Sequence, residues 1–173
     1  EIRPDITIIT PTTSGSQWII GTPIGNGNVI SWNITGPVAK VKIEYSKDDG
    51  ITYDPVNAIF PADPGYTVNN AGARTTYNLD WAIPDDKDII TTDEARIKIT
   101  DISKPEINDE SAPFMVKASI AITSPASTPA LKVLESSLYT KIAWTTPCKG
   151  AANMGDVKIQ FLNPEDTQWD DIA

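Results

Sequence analysis

The chain has 173 residues, and its 14 Lys and Arg against 23 Asp and Glu give a formal net charge of −9, which repels nucleic-acid phosphates and argues against DNA or RNA binding. It contains no histidine, so the commonest general base and the usual zinc ligand are missing, and its single cysteine, Cys148, excludes an intramolecular disulfide. No apolar run approaches the roughly 18 residues of a membrane span, and no membrane insertion is therefore expected.

Alternation of apolar and polar residues with period two is the dominant signal in the first 118 residues. Ile30-Ser31-Trp32-Asn33-Ile34 and Val41-Lys42-Ile43-Glu44-Tyr45 show the pattern, which predicts strands with one face on a core and the other in water. Strands are predicted at 6–10, 17–20, 28–34, 38–47, 51–53, 75–82, 94–101 and 111–118. No segment combines the helical period with helix caps, so no long helix is predicted. Trp18, Trp32, Trp81 and Trp144 fall on the apolar positions of their strands and are predicted to pack in a core.

Turn-forming residues separate these strands. Asp48-Asp49-Gly50 predicts a hairpin between Tyr45 and Tyr53. Pro84 ends the strand at Trp81, because proline cannot donate a hydrogen bond to a ladder. Seven or eight short antiparallel strands within about 115 residues predict an all-β domain with the architecture of a Greek-key β-sandwich.

Residues 56–73 show no clear periodicity and are predicted to form a long loop. Loops of this length are uncommon in a compact domain and often carry function. The alternative is a surface decoration that packs Phe60 or Tyr66 on the edge of the domain. The candidate contact residues for a ligand or partner are Phe60, Tyr66, Asn69, Asn70 and Trp169.

The strand pattern occurs twice in the chain. Four matches carry the repeat: Ile6–Pro11 with Ile120–Pro125, Trp32 with Trp144, Val41–Tyr45 with Val157–Phe161, and Tyr53 with Trp169. The offsets are 114, 112 and then 116 residues, a period that corresponds to a whole domain rather than to a solenoid unit. We therefore predict two tandem domains, at 1–117 and 118–173.

The second copy of the pattern, residues 120–173, is incomplete. Strands are predicted near 119–123, 131–135, 138–145 and 155–162, with another starting at Trp169. Counterparts of the strands at 75–82, 94–101 and 111–118 are missing from it. Half a sandwich has an open sheet edge and an uncovered apolar face. Two explanations stay open, namely that the sequence is a piece of a longer chain or that another chain supplies the missing strands.

The motifs and their order resemble a known module, the immunoglobulin-like or fibronectin-type-III-like tandem repeat of large secreted or cell-surface bacterial proteins. The chain is also similar to the N-terminal module of the yeast cell-wall family involved in β-1,6-glucan assembly. The resemblance covers 6–118 and again 120–173. It is carried by Ile9-Thr10-Pro11, Ser14–Trp18, Ile30-Ser31-Trp32, Val41–Gly50, Trp81–Pro84, Ala95–Asp101 and Asp109–Phe114. It implies an extracellular or cell-surface location and no shared catalytic residues.

The carboxylates do not predict an active site. Eight aspartates stand in turn contexts, where aspartate forms local hydrogen bonds with the backbone, and no cofactor is expected. They are Asp48, Asp49, Asp63, Asp85, Asp86, Asp88, Asp170 and Asp171. Calcium is the one cation considered, because Asp101, Asp109 and Glu110 flank one loop and 85–88 is rich in aspartate. The linker at 116–119 contains no carboxylate, which argues against a calcium-stiffened junction between domains.

These observations predict a non-enzymatic structural or spacer module of a large extracellular repeat protein, which assembles into a filament or surface layer. Its partners would be neighbouring domains of the same protein or copies of itself. The alternative is a carbohydrate-binding or adhesin module that uses the 56–73 loop to contact a cell-surface glycan. Exposed aromatic side chains such as Tyr66 could then stack on sugar rings.

Overall fold

The computed structural model describes residues 3–12, 16–22, 25, 27–53, 58–60, 65–84, 92–124, 142–146, 156–162, 165 and 167–172. The all-β prediction is confirmed, and within these ranges there is no helix with the length and apolar character of a membrane span. The described strands are β1 (Asp5–Thr10), β2 (Gln17–Ile19), β3 (Val29–Ser46), β4 (Ala58–Phe60), β5 (Tyr66–Asp80), β6 (Thr92–Asp101), β7 (Asn108–Glu110), β8 (Phe114–Lys117), β9 (Ala121–Ser124), β10 (Ala143–Thr145), β11 (Gln160–Leu162) and β12 (Trp169–Asp171).

The first eight strands form one curled sheet around β3. Antiparallel β1 and then β6 pair along one edge of β3, and antiparallel β5 and then β4 pair along the other. β6 also pairs antiparallel with β7 and β8. β8 in turn pairs in parallel with β2. The last strand of this sheet, β8, therefore lies beside β2, which comes early in the chain.

β3 is a single bent strand, whereas the sequence pattern predicted two strands, at 28–34 and 38–47. The bend lies at Gly36-Pro37, where the register with β5 shifts between Ile34 and Gly36 and again between Val38 and Lys40. Gly36 adopts a φ of 84°, which favours glycine. The backbone passes through the bend without losing its partners, because β5 pairs on both sides of it.

Replacing Gly36 with alanine is expected to destabilise the fold by more than the backbone strain alone. A Cβ atom at Gly36 would lie 2.7 Å from the Cα atom of Pro4, so the backbone near β1 must move. Gly25 has a similar φ of 88°, but a Cβ atom there meets nothing within 4 Å. Gly25→Ala is thus the control and should lower the free energy of unfolding by about 1–2 kcal/mol. Gly36→Ala should lower it by more, as measured by urea unfolding. Equal losses would contradict the close approach of Pro4.

The core lies between the inward faces of the curled sheet. Its largest fully buried side chains are those of Trp32, Tyr45, Phe114, Ile20, Ile30, Ile34, Ile43, Ile83, Ile97, Ile99, Val41 and Val116. Trp18 joins this core by packing against Phe114 at 4.6 Å and Trp81 at 6.1 Å between ring centroids. The prediction that Trp18, Trp32 and Trp81 are core residues is confirmed.

The predicted hairpin partner strand at 51–53 does not form. Asp49 and Gly50 have φ values of 55° and 84°, and the Thr52 N–H donates to the Asp48 carboxylate at 2.9 Å instead of to a strand. The Asp49 N–H donates to the Glu94 carbonyl at 2.9 Å, which joins the turn to β6. Side-chain hydrogen bonds within the turn thus replace the ladder that alternation alone suggested.

The 56–73 segment is not a continuous loop, which corrects the prediction from the sequence. β4 occupies Ala58–Phe60, and β5 begins at Tyr66. The β-signal is weak here because Asn69 has a φ of 47° and Gly72 a φ of 138°, and because the pairing with β3 is interrupted by two register shifts. A strand with such interruptions loses the strict period of two by which strands are found in a sequence.

The second copy of the pattern contains two small antiparallel sheets in its described residues, β9 with β10 and β11 with β12. The predicted strand at 131–135 lies outside the described residues. Large apolar side chains of this copy are exposed, namely Ile120, Ile122, Trp144, Val157, Phe161, Leu162, Trp169 and Ile172. Trp144, predicted to be a core residue, is 40% exposed, whereas its counterpart Trp32 is fully buried.

Candidate functional site

The outer edge of β5 is the longest strand edge that no other described strand pairs with. Its hydrogen-bonding direction follows from the strand end, where the Trp81 N–H donates to the Asn28 carbonyl at 2.8 Å. Backbone groups in an antiparallel ladder alternate between the two edges. Trp81, Leu79 and Tyr77 therefore direct their N–H and C=O groups at β3, while Asp80 and Asn78 direct theirs at the open edge.

The two faces of β5 differ in polarity. Tyr77 and Leu79 lie on the inner face and pack against the core. Cross-strand hydrogen bonds occupy the outer face, where Ser31 Oγ donates to Asn78 Oδ1 at 2.5 Å and Thr76 Oγ1 donates to Asn33 Oδ1 at 2.7 Å. The open edge of β5 thus belongs to a sheet with a polar, hydrogen-bonded outer surface.

Three of the five predicted contact residues lie in β5. The Tyr66 ring packs edge-on against Trp32, with 5.4 Å between centroids. Asn70 is buried, and its Nδ2 donates to the carbonyls of Ile34 at 3.2 Å and Gly36 at 2.9 Å. Asn69 is exposed. Asn70 therefore supplies the donors that the bend of β3 needs, a role that its sequence context did not reveal.

The other two predicted contact residues lie elsewhere. Phe60 is the last residue of β4, and its side chain is outside the described part. Trp169 begins β12, and its side chain is 63% exposed. A ligand or partner contact at any of the five residues stays a prediction.

A cluster of charged side chains on the outer face of β6 joins three elements. Lys98 Nζ lies 2.9 Å from Glu110 Oε1 in β7 and 5.1 Å from the centre of the Tyr53 ring. Arg96 Nε lies 2.6 Å from Asp49 Oδ1. Burial, and then the negative charge of Glu110, raises the pKa of Tyr53. These groups neutralise one another, so the cluster ties the turn after β3 to the sheet.

The turn carboxylate of Asp48 has the local role that its sequence context predicted. Hydrogen bonds from the side chain and the backbone N–H of Thr52, and from the Ser46 hydroxyl, lower the pKa of Asp48. The Thr52 Oγ1 donates to Asp48 Oδ2 at 2.6 Å, and Ser46 Oγ donates to Asp48 Oδ1 at 2.8 Å. The carboxylate is thus held ionised by its own turn.

The carboxylates considered for calcium are used in other ways where they are described. Asp109 Oδ2 accepts from the Ile8 N–H at 2.7 Å, and Asp101 Oδ1 accepts from the Ser103 N–H at 2.8 Å. The described residues contain no group of three or more potential metal ligands. The aspartates at 85–88 lie outside the described residues.

A cleft of about 440 Å³ lies between the start of β1 and the loop from β6 to β7. It is lined by Arg3, Pro4, Asp5, Lys104, Glu106, Ile107 and Asn108. Two cationic and two anionic side chains face it, so its charges balance, and it selects neither an anion nor a cation.

The parallel pair of β2 and β8 joins the second strand of the first copy, residues 6–118, to its last strand. Trp18 is opposite Val116 in the ladder. The Met115 N–H donates to the Ser16 carbonyl at 2.8 Å, and the Ile20 N–H donates to the Lys117 carbonyl at 2.9 Å. Behind this ladder, the Trp18 ring packs on Phe114. An early strand and the last strand of this sheet are therefore directly hydrogen-bonded.

Comparison with protein-family models, curated proteins and solved structures found no match to this chain.

Proposed function

We propose that this chain is a non-enzymatic structural module, built of immunoglobulin-like domains, that serves as a spacer or assembly unit in a large extracellular or cell-surface protein. The observation that carries the proposal is the parallel pairing of β2 with β8. A spacer must transmit tension between its ends, and this pairing lies between an early strand and the last strand of the curled sheet.

The direction of the two strands determines how they respond to tension. Tension on the two ends of the first copy reaches β2 at its Ser16 end, through β1, and reaches β8 at its Lys117 end. Because the strands are parallel, these pulls act in opposite directions along the ladder. The backbone hydrogen bonds of a parallel ladder are slanted and evenly spaced, and opposite pulls along the two strands load them together rather than one after another. Such an arrangement supports a role in resisting extension.

The closed charge cluster supports the non-enzymatic part of the proposal. Lys98, Arg96 and their carboxylate partners form ion pairs with one another on the outer face of the sheet. General acid–base catalysis needs a titratable group that can reach a substrate proton, and these groups are held by structural contacts instead. The turn carboxylate of Asp48 is likewise occupied by hydrogen bonds.

Single-molecule force spectroscopy of the chain tests the spacer role through Met115→Pro. Proline removes the N–H group that donates to the Ser16 carbonyl, so one bond of the β2–β8 ladder is lost. We expect a lower unfolding force for the first copy and a loss of about 1–3 kcal/mol of stability.

Asn78→Pro is the matched control for this experiment. It introduces the same residue at the open edge of β5, where the N–H faces away from β3 and proline is tolerated. Its unfolding force should stay near that of the unmodified chain. If Met115→Pro leaves the unfolding force unchanged, or if Asn78→Pro lowers it equally, the β2–β8 pair does not bear the load, and the spacer proposal loses its basis.

A further inference from the structure

The open edge of β5 has a self-complementary sequence, Arg74-Thr75-Thr76-Tyr77-Asn78-Leu79-Asp80. If two such strands pair antiparallel about a two-fold axis through Tyr77, Arg74 of each strand is opposite Asp80 of the other. Thr76 is then opposite Asn78, and the two Tyr77 residues face each other. One strand thus carries both halves of a symmetric set of contacts.

The backbone of β5 is suited to this pairing. Thr76, Asn78 and Asp80 direct their N–H and C=O groups at the open edge, by the alternation established at Trp81. In the register centred on Tyr77, Thr76 and Asn78 form hydrogen-bonded pairs on both sides of the axis. The pairing with β3 is regular from Val29↔Asp80 to Ile34↔Thr75, and Arg74 follows directly, beside the register shift between Thr75 and Gly72.

The side chains of Arg74 and Asp80 are exposed, and neither forms an ion pair within the described part of the chain. Residues directly opposite each other in a ladder place their side chains on the same face. Arg74 and Asp80 would therefore meet on the polar outer face, at both ends of the paired segment.

The charge pattern selects this register over its neighbours. Shifting the two-fold axis by one residue toward Thr76 places Asp80 opposite Gly72 and leaves both charges without a partner. Shifting it toward Asn78 places Asp80 opposite Thr76, with the same loss. Only the register centred on Tyr77 pairs every charge of the segment.

We propose that two copies of this chain pair antiparallel through the open edges of their β5 strands, with Arg74 of each copy bound to Asp80 of the other. The sheet formed by β1, β3 and β5 then continues across the two-fold axis. The cross-strand hydrogen bonds on the outer face, Ser31 to Asn78 and Thr76 to Asn33, then lie next to the same bonds of the second molecule. This inference rests on the proposed function, for which it names the assembly surface and the partner.

Charge reversal tests the pairing, with sedimentation velocity of the purified chain over a wide concentration range as the readout. Arg74→Asp places two aspartates opposite each other at both ends, and Asp80→Arg places two arginines there. Each variant alone should self-associate at least about tenfold more weakly than the unmodified chain, because like charges directly opposite each other are destabilising.

An equimolar mixture of the two variants should restore association, because in the mixed pair every aspartate of one chain is opposite an arginine of the other. The double variant Arg74→Asp/Asp80→Arg should pair with itself but not with the unmodified chain. Lys104→Asp reverses an exposed charge outside β5 and should leave self-association unchanged. Circular dichroism of each variant checks that the fold is retained, and the double variant covers the case in which a single variant does not fold.

Cysteine trapping tests the register, with the native Cys148 replaced by serine in all variants. A Thr76→Cys chain mixed with an Asn78→Cys chain should form a disulfide under mild oxidation, because hydrogen-bonded partners have Cα atoms about 5.5 Å apart. Either variant alone should crosslink far less.

Three results would overturn the proposal: a strictly monomeric unmodified chain at about millimolar concentration, undiminished association of both reversal variants, or no recovery in their mixture. None of these affects the force measurement on single molecules. A monomer whose unfolding force falls with Met115→Pro would remain a spacer without this assembly surface.

Discussion

Trp32→Ala is expected to reduce the free energy of unfolding by about 3–5 kcal/mol, the usual cost of removing a large aromatic side chain from a core. The Trp32 side chain is fully buried in the middle of β3. Its ring stacks on Tyr77 with 5.8 Å between centroids and meets the edge of Tyr66 at 5.4 Å. Because both neighbours come from β5, the substitution also weakens the contact between the strand that carries the open edge and the core.

The matched control is the tryptophan at the corresponding position of the second copy. Trp144 in β10 is 40% exposed. Trp144→Ala should therefore cost less than about 1 kcal/mol, as is usual for substitutions away from a packed core. Urea unfolding followed by circular dichroism measures both variants. Equal losses at Trp32 and Trp144 would mean that the second copy is packed as tightly as the first, contrary to the exposure of its apolar side chains.

Tyr45→Phe is expected to reduce the alkaline sensitivity of the fold. Tyr45 is fully buried, and burial raises the pKa of its hydroxyl far above the ordinary value of about 10. Since the folded-state pKa lies above the unfolded-state pKa, stability is complete below about pH 10 and is lost as the pH rises beyond it. The loss is up to about 1.4 kcal/mol per pH unit, or about 2–3 kcal/mol at pH 12.

The same substitution should not weaken the protein at neutral pH. The Tyr45 hydroxyl has no hydrogen-bond partner among the described residues, so its removal leaves no group unsatisfied and should stabilise the fold by up to about 1 kcal/mol. Thermal unfolding at pH 7 and at pH 11–12 tests both parts. Tyr53→Phe is the comparison, with a smaller alkaline effect because its ring is half-buried. If Tyr45→Phe unfolds at the same pH as the unmodified chain, another group controls alkaline unfolding.

Alternation located the strands well where one face is apolar and the pairing is regular. β1, β2 and β6 lie close to their predicted positions. Ile6 and Ile97 have polar neighbours on both sides, and Trp18 follows the polar pair Ser16-Gln17. β7 was missed: Asn108-Asp109-Glu110 has no apolar residue, and it is a strand only because β6 offers it a partner. Local composition does not reveal a strand that is stabilised by its neighbour alone.

Among the candidate contact residues, the role of Asn70 also depends on residues that are distant in the sequence. The sequence places Asn70 in an apparent loop, whereas in the structure its amide donates to two carbonyls at the bend of β3. Those carbonyls lie more than 30 residues away in the sequence, so no local pattern indicates them. The open edge of β5 was likewise not visible in the sequence, because it depends on which strands pair.

The sequence by itself determined the all-β class and the core positions of the tryptophans in the first copy. These features follow from side-chain polarity at a period of two residues, which is local. Only the tertiary structure decided that β3 is one bent strand, that β2 pairs in parallel with β8 and that β5 has an open edge. Strand pairing joins residues distant in the chain through backbone groups that are nearly the same in every residue, so it is settled by how the whole sheet packs.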